Sequence, residues 1–415
     1  MSAALGRRYY GWQLVWVLGI TTIIAYGTTQ YLFGVLVVPL EREFGWSRAE
    51  LAGAYSLAVL LAGIFGVPIG ALTDRYGARI TMSLGALLGG LSLLGLSRVE
   101  SVWQLYLVWS LGIGLASSLT YYPISYIVIA NWFDARRADA MATLTLFGAF
   151  ASPLFLPLSG TLVAALGWRA AVLILGCVLL VIAVPICALL LRRHPEDHGL
   201  HPDGAEYASP AGGAESGMSA RDALRTRTFW LITSACCLFT FSGTVVFVHL
   251  VAYIISKQYS PVFAATLAGS AGLAYLPGRF LAKRLSRKVD AHVQLSASLV
   301  LQAIGMIILL AERSVAWLIV WLIVYGAAFG TFAPLRGTLM AEHFGRRAYG
   351  AIVANQGMPM ALCAAAGPLL AGRLYDVFGN YVAAFLICAL ALVLAAVCIA
   401  LTTRAETGLR SSASS

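Results

Sequence analysis

Gly70-Ala-Leu-Thr-Asp74-Arg75-Tyr-Gly77-Ala-Arg79 sets three charged residues and two glycines between two long apolar runs, 50–72 and 79–97. Each run has the roughly 20 residues that a helix needs to cross a bilayer. Gly70 permits a neighbouring helix to approach closely, and Gly77 permits a tight turn. Asp74 is placed to accept hydrogen bonds from a nearby helix N-terminus and to pair with arginine. The stretch is either an ordinary solvated loop or a contact built at the membrane surface.

The rest of the chain repeats this alternation. Of its 415 residues 60% are hydrophobic and 11% charged, with mean hydropathy +0.83, whereas soluble globular chains carry about 25% charged residues. The composition is that of a polytopic membrane protein with the lipid bilayer as its surroundings. A net charge of +10 raises nucleic acid as a partner. The basic residues, however, are dispersed at the ends of apolar segments, which is the pattern of topology and not of a nucleic-acid-binding face. The seven cysteines all lie inside apolar runs without metal-ligand spacing, so no metal site is expected. No cofactor motif is present: a phosphate-binding glycine loop with lysine is missing, and no enzyme signature survives inspection.

Charged clusters and Gly/Pro/Asn turns cut the chain into twelve apolar spans. They are 11–38, 50–72, 79–97, 102–131, 139–165, 169–191, 228–255, 261–282, 292–311, 314–340, 349–375 and 380–402. Counted from a cytoplasmic N-terminus, 19 Lys and Arg fall on the cytoplasmic side against 7 on the other, so both termini face the cytoplasm. Residues 192–227 differ in composition and read as a flexible cytoplasmic linker between a first half, 1–191, and a second, 228–403, with a cytoplasmic tail at 404–415 whose final Ser411-Ser-Ala-Ser-Ser is expected to be disordered. The halves repeat. Pro123 and Pro334, Phe133 and Phe344, and Pro157 and Pro368 are each 211 positions apart, and Gly167 and Gly379 are 212 apart. The expected fold is all-α, with twelve transmembrane helices in two pseudo-symmetric six-helix halves. Such duplication is a transporter architecture with its substrate site near midplane.

One charge stands out within a span. Ala271-Gly-Leu-Ala-Tyr-Leu-Pro-Gly-Arg279-Phe-Leu holds a guanidinium before the chain reaches Lys283-Arg284. Placing arginine in a bilayer costs at least ~2.5–3.5 kcal/mol, so Arg279 is expected either to hold an anion or to snorkel to the headgroups. About nine residues, or about 13 Å of helix, separate it from the Arg287-Lys288 loop, which sets it near midplane. Gln30-Tyr31 in the first span and Tyr121-Tyr122 beside Pro123 in the fourth are expected to face the cavity, or else to pack between helices. Phe329 and Phe332 are weaker candidates for its wall, and Arg336 reads as a snorkelling residue. His249, the one histidine within a span, either carries a coupling proton, contacts substrate or is satisfied by a neighbouring helix. Asn355 and Gln356 face about 100° apart on a helix, so one of them lines the cavity. No Asp or Glu lies deep in a span as segmented, and a carboxylate proton relay is not expected.

The complete Gly-x-Leu-x-Asp-Arg-x-Gly-x-Arg pattern in a twelve-span chain resembles the signature loop of the major facilitator superfamily. That resemblance implies that Asp74, Arg75 and Arg79, with Gly70 and Gly77, form a cytoplasmic gate. The second-half counterpart, Leu285-Ser286-Arg287, lacks the acid, so latching is expected to rest on the first half. Tyr10-Gly-Trp-Gln, Asn131-Trp-Phe-Asp, the Pro195-Glu-Asp…Gly199-Leu…Pro202-Asp-Gly204 linker, Val248-His249-Leu250 and Gly278-Arg279 are similar to bacterial members of the monocarboxylate and oxalate:formate group. Tyr10 departs from the acid often found there. The group implies that Arg279 meets a substrate carboxylate and that Gln356 stands where oxalate carriers place a lysine, favouring a monoanion. Tyr275 stands where proton-coupled relatives place an acid. The resemblance also implies a monomeric carrier of a small organic anion, with a proton or counter-anion as co-substrate. The competing reading is efflux of an amphipathic or neutral compound with Arg279 structural.

Overall fold

Peptide groups surrounded by hydrocarbon must hydrogen-bond within their own segment, and helices meet that demand. The computed structural model describes residues 9–196, 200–204, 217–286, 288–345 and 347–412. Arg7, Arg8, Asp197–Gly199, most of the linker's Pro210 stretch, Arg287 and Arg346 lie outside the described residues. Ten helical runs among the described residues are long and apolar enough to cross a membrane. One of them, Arg137–Leu190, has 54 residues and turns at Gly167, whose φ of +80° suits glycine. Its repeat partner Gly379 ends the Gly357–Phe378 helix with φ +68°. The 25-residue Pro261–Leu285 helix is as long as its neighbours, but its Gly, Ser, Thr and Pro content makes it less apolar than the ten.

The chain forms two compact units. One holds the chain as far as Pro39 and then from Leu57 through the Pro202–Gly204 turn. The other holds Leu40–Ser56 together with the helices from Ala220 onward, so a piece of sequence expected in the first half belongs to the second unit. The helix Tyr10–Phe44 is cut between them at Pro39, a residue that cannot donate the bond its position would require.

In the first unit Leu14, Leu18, Val128, Trp132 and Leu144 form a buried cluster, and the Tyr9 hydroxyl donates to the Trp132 carbonyl at 2.6 Å. Three widened π turns, Tyr26–Gln30, Tyr106–Ile113 and Leu179–Ala183, interrupt the α-helical pattern. The fourth span breaks at Tyr121, which is extended (ψ 177°), and a new helix starts at Tyr122 with Pro123 in its first turn. The linker is not free chain throughout. The Asp203 carboxylate accepts the amides of Asp134, Ala135 and Arg136 at 2.6–3.3 Å, pinning Pro202–Gly204 to the end of the Tyr122–Trp132 helix.

In the second unit the helices Pro261–Leu285 and Val315–Phe344 cross in backbone contact. A Cβ built on Gly278 would lie 1.8 Å from the Ala327 carbonyl oxygen, and one on Gly330 would lie 2.0 Å from that of Tyr275. Linker residues also dock here, Met218 donating its amide to the Phe344 carbonyl at 2.9 Å. The last helix, Val382–Ser412, continues well past residue 404, where the sequence suggested a tail. The first helical run likewise continues past the expected end at residue 38 to Phe44, and Glu41 in this extension pairs with Arg48.

Gly70 corrects a further expectation: no atom lies within 4 Å of the Cβ position it lacks, so it accommodates no neighbouring helix among the described residues. The two glycines therefore separate experimentally. Gly278→Ala should destabilise the protein by about 1–3 kcal/mol through overpacking, whereas Gly70→Ala should be neutral or gain about 0.5–1 kcal/mol of helix propensity. Thermal unfolding of the purified protein in detergent distinguishes the two, and equal melting temperatures would contradict the close crossing.

Candidate functional site

In the first unit the π turn at Tyr26–Gln30 rotates the residues after it, and the break at Tyr121 does the same in the fourth span. Together they gather polar aromatic groups. The Tyr121 hydroxyl lies 2.8 Å from Thr29 Oγ1 and donates to Gln30 Oε1 at 3.3 Å. Tyr26 stacks on Tyr121 with centroids 4.0 Å apart and meets Tyr122 at 5.1 Å. Gln30, Tyr31, Tyr121 and Tyr122 are all partly exposed, and three of them are in this cluster; Tyr31 closes the π turn, donating its amide to the Tyr26 carbonyl. Tyr26 escaped the sequence reading, although it lies four residues before Gln30 on one helical face. π turns are common at functional sites.

In the second unit Gly278 fixes the rotation of the Pro261–Leu285 helix, and the next residue, Arg279, is partly exposed. Arg48–Glu41 and Arg137–Asp134 are ion pairs; Arg279 is in neither and has no hydrogen bond to the described residues. Tyr275 lies one turn before it, and the Tyr275 ring meets Phe329 at 4.7 Å. Phe239 joins this aromatic group, stacking on Phe332 at 3.5 Å and meeting Phe329 at 4.8 Å. A guanidinium with no partner among the described residues, one helical turn from an aromatic side chain, has the chemistry to receive a planar anion.

Asn355 and Gln356 are arranged opposite to what substrate contact by Gln356 requires. The helix breaks between Tyr349–Ala354 and Gly357–Phe378, leaving Asn355 exposed and Gln356 wholly buried. Gln356 Oε1 accepts from Arg336 Nη2 at 2.6 Å, and its Nε2 donates to Thr233 Oγ1 at 3.0 Å. Arg336 is thus held inside the unit by a buried amide and does not simply reach for headgroups.

His249 is also wholly buried. Its Nε2 lies 2.9 Å from the Pro368 carbonyl, which only accepts, so this nitrogen carries the proton and Nδ1 accepts from the Tyr381 hydroxyl at 3.1 Å. Tyr381 in turn accepts from Arg48 Nη1 at 2.5 Å. Arg48 lies 3.6 Å above the Tyr375 ring and bonds Glu41 at 2.9–3.2 Å, while Asp376 accepts the amides of Arg48 and Ala49 at 2.9 Å. The structure thus places His249 in a network that holds Leu40–Ser56, with no nitrogen left for a ligand.

The 70–79 stretch is helical rather than a loop: residues 70–76 end the Arg48–Tyr76 helix, and Gly77, with φ +85°, is the one non-helical residue before the Ala78–Leu96 helix. Arg75 lies 5.3 Å from the Tyr76 ring, and Asp74, Arg75 and Arg79 are exposed. The Asp74 backbone carbonyl accepts from Arg193 Nη2 at 2.7 Å. Among the described residues no His, Cys, Asp and Glu group is arranged to hold a metal ion.

Comparison with known proteins agrees with this arrangement. The chain is 27% identical to monocarboxylate transporter 13 of Bos taurus over 386 residues, covering 91% of this chain and 86% of that protein. It is also 27% identical to monocarboxylate transporter 3 of Rattus norvegicus, over 95% of this chain and 80% of the relative. A crystal structure of a bacterial homolog to the human lysosomal transporter Spinster, inward-facing and occupied, shares the fold. Its TM-score is 0.77 at 15% identity, covering 96% of this chain and 98% of that one. The sequence pattern of the Major Facilitator Superfamily matches residues 18–310 and 292–414. This multi-pass membrane protein, a transporter and not an enzyme, therefore belongs to the Major Facilitator Superfamily.

Proposed function

We propose that the chain is a secondary active transporter that carries a small organic monoanion of the monocarboxylate type by alternating access. Arg279 binds the carboxylate. The observation that carries this reading is Arg279 itself: partly exposed, without a partner among the described residues, and fixed in direction by Gly278. The names of the relatives, monocarboxylate transporters over most of their length, support the substrate class.

Charge favours a monoanion. Arg336, a second guanidinium of this unit, already spends a donor on Gln356, so it is less free than Arg279 to add a second positive charge to a ligand. Tyr275, one turn before Arg279, and the Phe329 ring it meets suit an apolar acyl or aryl body. Gln30, Tyr121 and Tyr122 supply neutral hydrogen-bonding groups, which orient a bound anion without adding charge. His249 is given a structural place, since both its nitrogens are engaged. In this reading the protein acts as a monomer in the cell membrane, with twelve crossings and both termini cytoplasmic. Arg137–Leu190 then supplies two crossings and Pro261–Leu285 one. A proton or counter-anion moves with the substrate.

Uptake of a panel of carboxylates into proteoliposomes tests this. Each charged hydrogen bond is worth about 1.5–3 kcal/mol, so Arg279→Gln should cut monocarboxylate uptake at least roughly tenfold, and Arg279→Lys should restore part of it as a point charge. Wild-type rates in Arg279→Gln, or flux of neutral amphipathic compounds without any carboxylate flux, would assign Arg279 a structural role. The buried amide gives a second prediction. Gln356→Leu strands a guanidinium donor and should lower the melting temperature, by about 1–3 kcal/mol of stability, whereas Asn355→Ala should leave it unchanged.

A further inference from the structure

A cavity of about 360 Å³ opens at one end of the first unit, where the Ala78–Leu96 helix begins and the helix ending at Leu190 finishes. Arg79, Arg192 and Arg193 line it together with the apolar groups of Tyr76, Ile80 and Leu191. None of these arginines is in an ion pair among the described residues, and their hydrogen bonds go to backbone carbonyls: Arg193 to Asp74 and Arg192 to Leu191. Gly77 is also in the wall. As the N-cap of the Ala78–Leu96 helix it has no side chain to offer, so the first amides of that helix keep no side-chain acceptor.

Three guanidinium groups and a helix N-terminus favour an anion. The apolar side of the cavity says which kind. Ile80 in its wall is the first of a row of exposed residues, Ile80, Leu84, Leu87 and Leu91, spaced along one face of the helix that leads away from the arginines. The neighbouring helix packs beside this one and exposes Leu189 and Leu190 next to the cavity. A free phosphate would use the arginines and ignore this row. A phospholipid uses both, its headgroup phosphate among the guanidiniums and an acyl chain along the leucines.

We propose that this cavity binds the headgroup of an anionic phospholipid. Basic pockets between helices at the membrane surface are suited to such headgroups, each basic residue contributing on the order of 1 kcal/mol. Because Arg193 bridges to the end of the Arg48–Tyr76 helix through the Asp74 carbonyl, the bound lipid ties that helix end to the start of the linker.

The full chain, purified in detergent, is titrated with phosphatidylglycerol, phosphatidylcholine and inorganic phosphate, and bound lipid is counted by native mass spectrometry. The wild type should retain phosphatidylglycerol in preference to phosphatidylcholine and resist displacement by inorganic phosphate. Arg192→Gln with Arg193→Gln should weaken that retention about fivefold for each arginine removed, while the equally charged control Arg136→Gln with Arg225→Gln should not. Equal retention of both lipids, equal loss in the control, or displacement by free phosphate would overturn the proposal. Should the double variant fail to fold, the wild type decides. A photoactivatable phosphatidylglycerol must cross-link peptides containing Ile80–Leu91 or Leu189–Leu190, and labelling confined to other segments counts against the site.

Discussion

A bilayer withholds water from the peptide group, and nearly every local feature of this chain answers to that constraint. Helices satisfy it over long stretches. Where direction must change, the described residues use devices that keep most backbone groups bonded: π turns at Tyr26–Gln30 and Leu179–Ala183, and prolines at positions 39, 157, 277 and 368. The functional clusters grow from these irregularities. Gln30 ends a π turn, Tyr121 stands at a helix break, and Arg279 follows the Pro277-Gly278 pair.

Charge obeys the same rule. Arg48 is almost fully buried, and every face of its guanidinium is engaged: Glu41 on one edge, the Tyr381 hydroxyl on another, the Tyr375 ring below. Removing one partner of such a group leaves a costly uncompensated charge, which explains why Leu40–Ser56 is grouped with the second unit. Arg336 meets the rule with one buried amide. Arg279 alone among these three is left without an acceptor among the described residues, and it is this contrast on which its proposed role rests.

Much of this was legible in the residues. The positive-φ turns at Gly167 and Gly379 follow from a repeat visible as equal spacing, and Arg279 was conspicuous because an arginine in an apolar run is expensive. Other features depend on rotation and on distant partners, which periodicity does not carry. Asn355 and Gln356 have different surroundings, as their spacing implies, but which of the two turns inward depends on the helix break beside them and was not legible in the residues. His249 was visible as a buried histidine, but its partners Pro368 and Tyr381 come from more than a hundred residues away. The pairing of Glu41 with Arg48 lies beyond the first span as segmented, and Asp203 looked like free linker until it met three amides. The Tyr26 stack required knowing that a π turn shifts the register of the first helix.

The glycine crossing between the Pro261–Leu285 and Val315–Phe344 helices has a mechanical consequence. Two rods touching backbone to backbone at Gly278 and again at Gly330 cannot roll independently, since either would drive its carbonyls into the other. They behave as meshed gears that have been locked. The helix segments that carry Arg279 and Phe329 must therefore travel together. Under the proposed function, an anion held there would keep its angle to both, and selectivity would be set by fixed spacing and the size of the side chains on those segments.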